Sequence, residues 1–343
     1  MFVGWGYFLA QIQGPLPVKE PGMEEFPEDA QALAPKSRAL GSAPSGLPKS
    51  ESFQPTTPMP VPIDPFPGEE VLIQVSTGKT HFVISNRGGV IKQLQLPRFN
   101  DDSGEIIDLI DNPDHLTPAL ALRANDPEVT AILQHAHYEP STTSIVLSEH
   151  NPEGRLTMTL NHSSGLQVTR TYVFHFNDYM VEMDTQISAP AMASRNLQYQ
   201  VLLGPGMGGK ISSQTDYIVF SGATVFANNE RIENPPEDIN NTSYFKGDLQ
   251  WVAFQNKYFG SALIPQQGTK SGLVFKEEDE VFVGLKFESV QSAASAQILF
   301  YGGTKELEIL EDKGHHLVRM IDYGWFGNKF AFLVKPLLKV LAF

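Results

Sequence analysis

The sequence contains no cysteine among its 343 residues. This absence excludes disulfide bonds, thiolate metal sites and a thiol nucleophile. It is compatible with any compartment, including an oxidising one in which a free thiol would be a liability. The chain also lacks an uninterrupted apolar run of the roughly 20 residues that a membrane-crossing helix needs. We therefore expect the body of the protein to fold in water.

Positive charge is also scarce. The chain has 25 lysine and arginine residues against 39 aspartate and glutamate residues, which gives a formal net charge of −14. Proteins that bind nucleic-acid backbones need clustered lysine and arginine to neutralise phosphates. The composition therefore argues against a nucleic-acid partner.

Helical periodicity is scarce before residue 303, and apolar and polar residues alternate from Glu69 onward. The stretch VLIQVSTGKTHFVISNRGGVIKQLQL predicts three short strands. Turns between adjacent strands are predicted at four further places: Ser164-Gly165, Asn177-Asp178, Ser221-Gly222 and Glu277 to Glu280. Many strands without intervening helices indicate an all-β fold of antiparallel sheets, either a sandwich or a closed barrel. Past residue 303, a short helix is predicted to end near Lys313-Gly314.

The N-terminal part differs from this body in composition. Residues 1–10, MFVGWGYFLA, are apolar and uncharged but too short to span a bilayer. They are typical of the end of a first transmembrane helix, with a disordered hydrophobic terminus as the alternative. Residues 11–68 hold more than half of the 25 prolines. Such a segment cannot bury enough apolar surface to fold, so we predict a disordered linker. A proline-rich ligand for a peptide-binding module is the alternative.

The C-terminal residues 323–343 predict an amphipathic helix that lies in a membrane surface. Apolar residues recur there at three- and four-residue spacing, cations fall mostly on the other face, and two aromatic rings stand at the start. Pro336 should bend or break the helix. A helix packed on the protein core fits the same pattern. The residues predicted to contact the membrane are Tyr323, Trp325, Phe326, Phe330, Leu333, Leu337 and Leu341, with Lys329, Lys335 and Lys339.

Three motifs suggest ligand chemistry only weakly. Residues 204–209 match a dinucleotide-binding glycine pattern, but no helix pattern follows, which favours a tight surface loop. His135 and His137 would share one side of a strand, as metal ligands can, but spacing nominates no third ligand. The acidic run 277–280 lacks the alternating oxygen spacing of a calcium loop and is typical of a hydrated turn. We predict no cofactor, and a carboxylate pair distant in sequence stays open as a catalytic alternative.

The densest aromatic block of the body is WVAFQNKYFGSALIP, residues 251–265. Aromatic faces can form platforms for sugars, so a glycan groove is one interpretation. The other is that the rings fill the interior of the sandwich, which we favour. The predicted core residues of this block are Trp251, Phe254, Tyr258 and Phe259.

Several segments together resemble the large periplasmic domain of YidC-type membrane protein insertases. They are ISNRGGVIKQLQLPRF, VTRTYVFHFNDYMVEMDTQI, WVAFQNKYFGSALIP, LFYGGTKELEIL and the terminal VRMIDYGWFGNKFAFLVKPLLKVLAF, in that order. The resemblance covers roughly residues 69–343 and the N-terminal fragment. It divides the chain into a transmembrane remnant (1–10), a linker (11–68), a β-supersandwich (69–302), a short helical segment (303–322) and an interfacial helix (323–343).

The resemblance implies an antiparallel β-supersandwich similar to galactose mutarotase, with short C-terminal helices. It also implies a non-enzymatic domain that faces the periplasm at the bacterial inner membrane. The implied partners are the lipid surface, nascent membrane proteins and the SecD–SecF complex of the Sec translocon. In such insertases, the resemblance implies, the later transmembrane helices carry out insertion, and we expect this chain to stop before them. A secreted carbohydrate-binding or aldose-epimerase-like sandwich is the alternative function.

Overall fold

The computed structural model describes residues 66–110, 117–195, 197–208, 220–288 and 292–321, without the side chains of Arg195, Lys270 and Glu288. The predicted transmembrane remnant, nearly all of the predicted linker and the predicted interfacial helix lie outside these ranges. No helix within them is long and apolar enough to cross a membrane.

The described residues form nineteen strands and two α-helices. The strands are β1 (Leu72–Ser76), β2 (His81–Ser85), β3 (Val90–Asn100), β4 (Ile106–Asp108), β5 (Leu122–Ala124), β6 (Glu139–Pro140), β7 (Ser144–Val146), β8 (Glu153–Asn161), β9 (Gln167–His175), β10 (Met180–Ser188), β11 (Gln198–Leu203), β12 (Gly222–Ala227), β13 (Glu230–Asn234), β14 (Ser243–Phe245), β15 (Leu249–Gln255), β16 (Phe259–Gln267), β17 (Thr269–Glu277), β18 (Glu280–Glu288) and β19 (Ala293–Thr304). The helices are α1 (Pro127–His135) and α2 (Leu307–Lys313).

These strands form three sheets. The large sheet has nine strands in the order β13-β12-β15-β16-β19-β10-β9-β8-β6. The first small sheet has the order β4-β3-β2-β1-β7, and the second has the order β14-β17-β18-β11-β5. The one parallel pair among the described strands is β1 with β7. The predicted all-β, antiparallel sandwich with short C-terminal helices is confirmed.

Both small sheets pack on the same face of the large sheet, which we call the inner face. The register places Val181 opposite Phe300, Phe300 opposite Leu263, and Leu263 opposite Val252, so these apolar side chains share that face. A Cβ on Gly302 of the large sheet would lie only 2.4 Å from the Leu94 side chain of the first small sheet. Likewise, a Cβ on Gly272 of the second small sheet would lie 2.7 Å from the Val252 side chain of the large sheet. Close packing between sheets therefore explains why glycine occupies these two strand positions.

An arginine is buried in this interior. Arg170 of β9 is 0% exposed, and its guanidinium donates to the carbonyls of Gly88 (3.3 Å), Gly89 (2.6 Å) and Leu120 (2.9 Å). The Tyr172 hydroxyl donates to the Gly89 carbonyl as well, at 2.9 Å. A buried cation must be hydrogen bonded to be tolerated. Arg170 thus joins the β2–β3 turn and the segment before β5 to the large sheet.

Helix α1 was not predicted, although its start carries ordinary signals. The Asp126 side chain accepts from the N–H groups of Glu128 (3.0 Å) and Val129 (3.2 Å), and Pro127 occupies the first turn. Both features are typical of a helix N-terminus. The helix buries Val129, Ile132 and Leu133. A nine-residue helix with three buried positions is too short to produce a strong periodic signal.

Candidate functional site

Residues 307–321, which we call the attachment segment, connect the sandwich to the predicted interfacial helix. The segment consists of α2, a turn, and a 3-10 helix over Leu317–Met320. Helix α2 ends at Lys313, as the sequence predicted, with Gly314 at φ 68°. His315 (φ 48°) and His316 (φ 58°) also have positive φ, which L-residues rarely adopt in succession. The Leu317 N–H closes the turn by donating to the Gly314 carbonyl at 2.9 Å.

Apolar burial holds the attachment segment on the sandwich. Leu310, Leu317 and Met320 are each 0% exposed. A Cβ on Gly260 of β16 would lie 3.0 Å from the Met320 sulfur, so the 3-10 helix lies directly on the sheet backbone. Burial of three large apolar side chains contributes about 1.5–3 kcal/mol each. The chain position just before residue 322 is therefore fixed relative to the sheets.

Polar contacts reinforce the segment at the end of α2 and at the end of the 3-10 helix. The Lys313 ammonium lies 2.8 Å from the Asp178 carboxylate in the β9–β10 turn. Burial alone would lower the pKa of Lys313, but the hydrogen bonds and charges of Asp178 and, to a smaller extent, Asp312 together outweigh it and raise that pKa. With its amide assigned the orientation that satisfies both neighbours, Gln255 donates to the Met320 carbonyl (3.0 Å) and accepts from Arg231 (2.7 Å). These bonds satisfy groups that burial would otherwise leave without partners.

The structure buries three of the four predicted core residues in the aromatic block at residues 251–265 and exposes the fourth. Trp251, Phe254 and Phe259 are buried, at 0%, 2% and 1% exposed, with Phe254 and Phe259 on the inner face and Trp251 on the outer face. Tyr258 is 40% exposed, so its assignment to the core is wrong. Tyr258 lies in the turn between β15 and β16, where alternation between sheet faces no longer applies. The Lys257 ammonium lies 5.0 Å from the Tyr258 ring centre.

Trp251 is buried on the outer face of the large sheet, opposite the two small sheets. Its ring stacks on Phe226 with 5.6 Å between centroids. Phe226 in turn contacts the His316 ring (5.5 Å) and the Arg319 guanidinium (5.8 Å) of the attachment segment. The attachment segment therefore covers an apolar part of the outer face. The residues predicted to contact a membrane, 323–341, lie outside the described residues.

Two ligand motifs take a different form from that expected. His135 is the last residue of α1 and His137 lies in an isolated bridge with Arg87, so the two are not on one strand. Among the described residues, no three His, Cys, Asp or Glu side chains are placed to hold a metal ion. The Gly204–Gly208 stretch is mostly buried rather than a surface loop, because the Gly206 N–H donates to Val281 O and the Gly208 N–H to Leu109 O, both at 3.1 Å.

A polar groove of about 610 Å³ lies on the exposed part of the outer face. Three side chains form a row across it, because Thr171 pairs with Asp184 and Asp184 with Gln297. The Asp184 carboxylate accepts from Gln186 (3.0 Å) and Gln297 (3.3 Å). Each oxygen of the carboxylate therefore accepts one amide hydrogen bond, and the two bonds fix the orientation of the side chain.

A family model named YidC periplasmic domain matches residues 72–340. This chain belongs to that family. A relative from Geobacter metallireducens, named membrane protein insertase YidC, is 26% identical over 330 residues. That alignment covers 92% of the chain and 59% of the relative, so the chain spans less than two thirds of the insertase's length.

Solved structures with a similar fold are far more distant in sequence. A galactose mutarotase related enzyme from Lactobacillus acidophilus is 7% identical, covers 68% of the chain and 97% of its own length, and has a TM-score of 0.43. A galactose mutarotase-like protein from Lactobacillus casei is 8% identical, with coverages of 68% and 99% and a TM-score of 0.39. At this level the likeness concerns the fold and carries no function. The YidC family match does not favour the carbohydrate-binding or epimerase-like alternative.

Proposed function

We propose that this chain is the periplasmic domain of a bacterial inner-membrane protein insertase and that it catalyses no reaction itself. The match of the YidC periplasmic domain model to residues 72–340 carries the proposal. The relative from Geobacter metallireducens is longer than the matched region. The proposal assigns the insertion of client proteins to the part of such insertases that this chain does not match.

In this proposal the domain is held at the periplasmic surface of the inner membrane by residues 323–343. The attachment segment supports this role because its buried Leu317 and Met320 fix the chain just before that stretch. Each large apolar side chain that enters the lipid contributes part of about 1.5–3 kcal/mol. Lys329, Lys335 and Lys339 add about 1 kcal/mol each near an anionic surface. The partners in this proposal are nascent membrane proteins and, by family resemblance, the SecD–SecF complex.

The lipid contact can be tested by flotation of the full chain with vesicles of phosphatidylethanolamine and phosphatidylglycerol. The test variant carries Leu333→Ser and Leu337→Ser, and the matched control carries Leu72→Ser and Val146→Ser on the exposed surface of the sandwich. We expect the test variant alone to lose most of its flotation, and added salt to weaken binding without abolishing it. Both variants also carry Phe2→Ser, Trp5→Ser, Tyr7→Ser and Phe8→Ser, so that the apolar residues 1–10 do not bind lipid in their place. Equal flotation of the two variants would then show that residues 323–343 do not contact lipid.

Binding to SecD–SecF is tested separately, with the complex reconstituted in vesicles and the chain added in solution. Binding above that to protein-free vesicles supports the partner assignment. Equal binding to both kinds of vesicle contradicts it and leaves the lipid contact standing.

A further inference from the structure

The described chain begins and ends at opposite ends of the sandwich. At its start, the Phe66 ring lies 6.4 Å from the His162 ring, which is in the β8–β9 turn. At its finish, Lys313 of the attachment segment contacts Asp178, which is in the β9–β10 turn. Strand β9 has nine residues and connects these two turns. At about 3.3 Å per residue, the two ends are separated by about 30 Å.

We call the end that contains the β9–β10 turn the attachment end. Three other turns or strand ends meet there. The Thr77 carbonyl of the β1–β2 turn accepts from Asn177 at 2.7 Å, and the Tyr258 carbonyl accepts from Lys305 at 2.7 Å. The Phe99 ring near the end of β3 contacts the Phe259 ring, with 5.6 Å between centroids. The attachment end is therefore a continuous surface around the position where the chain leaves the described body.

This surface exposes apolar and aromatic side chains. Tyr258 is 40% exposed and Ile106 is 47% exposed. Phe99 is partly buried and packs against the hydrophobic core. Ile106 pairs with Asn100, the residue after Phe99. Lys257 places its ammonium over the Tyr258 ring. A tyrosine ring with an adjacent lysine is a combination that membrane–water interfaces favour.

We propose that the attachment end rests on the membrane, with Tyr258 and Ile106 in the lipid headgroup region, and that the opposite end points away. The inference rests on the proposed function, because it takes residues 323–343 to be the primary lipid contact. The described chain reaches this surface at Met320, whose sulfur lies beside Gly260, and the 22 residues after Ile321 include the predicted lipid contact, so we take lipid as the partner of this surface. The predicted linker, residues 11–68, is long when extended, at about 3.1 Å per residue, so it does not restrict the orientation of the folded body. The C-terminal attachment therefore sets that orientation.

Charge does not drive this contact. The β3–β4 turn beside Ile106 carries Asp101, Asp102 and Glu105, which would be repelled by anionic lipid. The contact is therefore apolar and weak when considered alone. Because residues 323–343 already hold the domain at the surface, the local concentration of lipid is high and a weak second contact suffices to orient the body.

The absence of cysteine allows a direct test with single-cysteine variants of the full chain. Ile106→Cys and Tyr258→Cys place a label at the attachment end. Leu72→Cys is the matched control, because Leu72 is 48% exposed, aliphatic and in the same small sheet, but lies at the opposite end. Each variant is labelled with the fluorophore NBD and bound to phosphatidylethanolamine–phosphatidylglycerol vesicles, with or without brominated phosphatidylcholine as a quencher.

We expect the quencher to reduce the fluorescence at positions 106 and 258 and to leave position 72 unchanged. Ile106→Ser should weaken vesicle binding about threefold to fivefold, and Leu72→Ser should not. This change corresponds to about 0.7–1.0 kcal/mol, because a tenfold change in affinity is 1.4 kcal/mol. Vesicle binding with equal quenching at all three positions, or quenching only at position 72, would overturn the orientation alone. A complete lack of vesicle binding would overturn the lipid contact of the proposed function and the orientation with it.

Discussion

The outer face of the large sheet has two halves with opposite character. Around β8, β9 and β10 it presents Arg155, Thr171 and Asp184 to the polar groove. Around β12 and β15 it presents Phe226 and Trp251, which are 1% and 0% exposed. The inner face beneath both halves is buried and mostly apolar, with Arg170 and Thr185 as polar exceptions. The polar half therefore follows the usual pattern of an antiparallel sheet, and the apolar half is buried on both faces.

Strand β19 crosses from one half to the other. Its outward residues change from Gln297, which lines the groove, to Tyr301, which is 0% exposed. Tyr301 contacts the Tyr179 ring at 6.2 Å, and its hydroxyl donates to the Thr304 carbonyl. Burial raises the pKa of Tyr301, which keeps that hydroxyl protonated as a donor. A loss of alternation along one strand thus marks where another part of the chain covers the sheet.

Trp251→Ala should have the largest effect, because it removes the largest fully buried side chain from the apolar half. The expected loss in the free energy of unfolding is about 3–5 kcal/mol, measured by urea denaturation. Thr171→Ala in the polar half is the control and should stay within about 0.5 kcal/mol of the parent. Similar losses for both would mean that the two halves do not differ in packing.

Breaking the Lys313–Asp178 pair should have a smaller effect on the attachment segment. Both side chains are about one fifth exposed, at 22% and 19%, so Lys313→Met should cost about 1 kcal/mol. The coupling is measured with Lys313→Met, Asp178→Asn and the double variant. Because the pKa of Lys313 is raised in the folded protein, the coupling should be present at neutral pH and decline as the pH rises past that value. Additive single effects would exclude a direct interaction.

His315→Gly should give the smallest effect, a gain of about 0.5–1 kcal/mol, because glycine adopts positive φ without a Cβ clash. His316→Gly relieves the same kind of strain but loses the ring contact with Phe226. We therefore expect no net gain for His316→Gly. Thermal unfolding of the two variants tests this difference, and an equal gain in both would show that the His316 ring does not stabilise the segment.

Much of the fold was predictable because alternation and turn residues act locally. The first three strands, the turns at Ser164-Gly165 and Asn177-Asp178, the acidic β17–β18 turn and the end of α2 all occur where the sequence indicated. The turn predicted at Ser221-Gly222 is wrong, since Gly222 is the first residue of β12. An isolated glycine before an apolar run marks a strand start as readily as a turn between paired strands.

The site was less predictable because its parts come from distant positions. The aromatic block was correctly expected to contain buried rings, yet only the register shows that Trp251 and Phe254 lie on opposite faces. Exposure of Tyr258 follows from the turn at 256–258, which the sequence did not distinguish from a continuing strand. The contacts of Lys313 and Met320 with the sheets join residues far apart in the chain, for which a single sequence carries no signal.

The buried Arg170 has a consequence for how the sandwich assembles. Its three carbonyl acceptors lie 82, 81 and 50 positions away along the chain. If only part of this network has formed, the guanidinium must either stay hydrated and hold the sheets apart or be buried without enough acceptors. A half-docked first small sheet is therefore unfavourable. We expect the first small sheet and the segment before β5 to close over the large sheet in one cooperative step, at a rate limited by the long loops that the step must close.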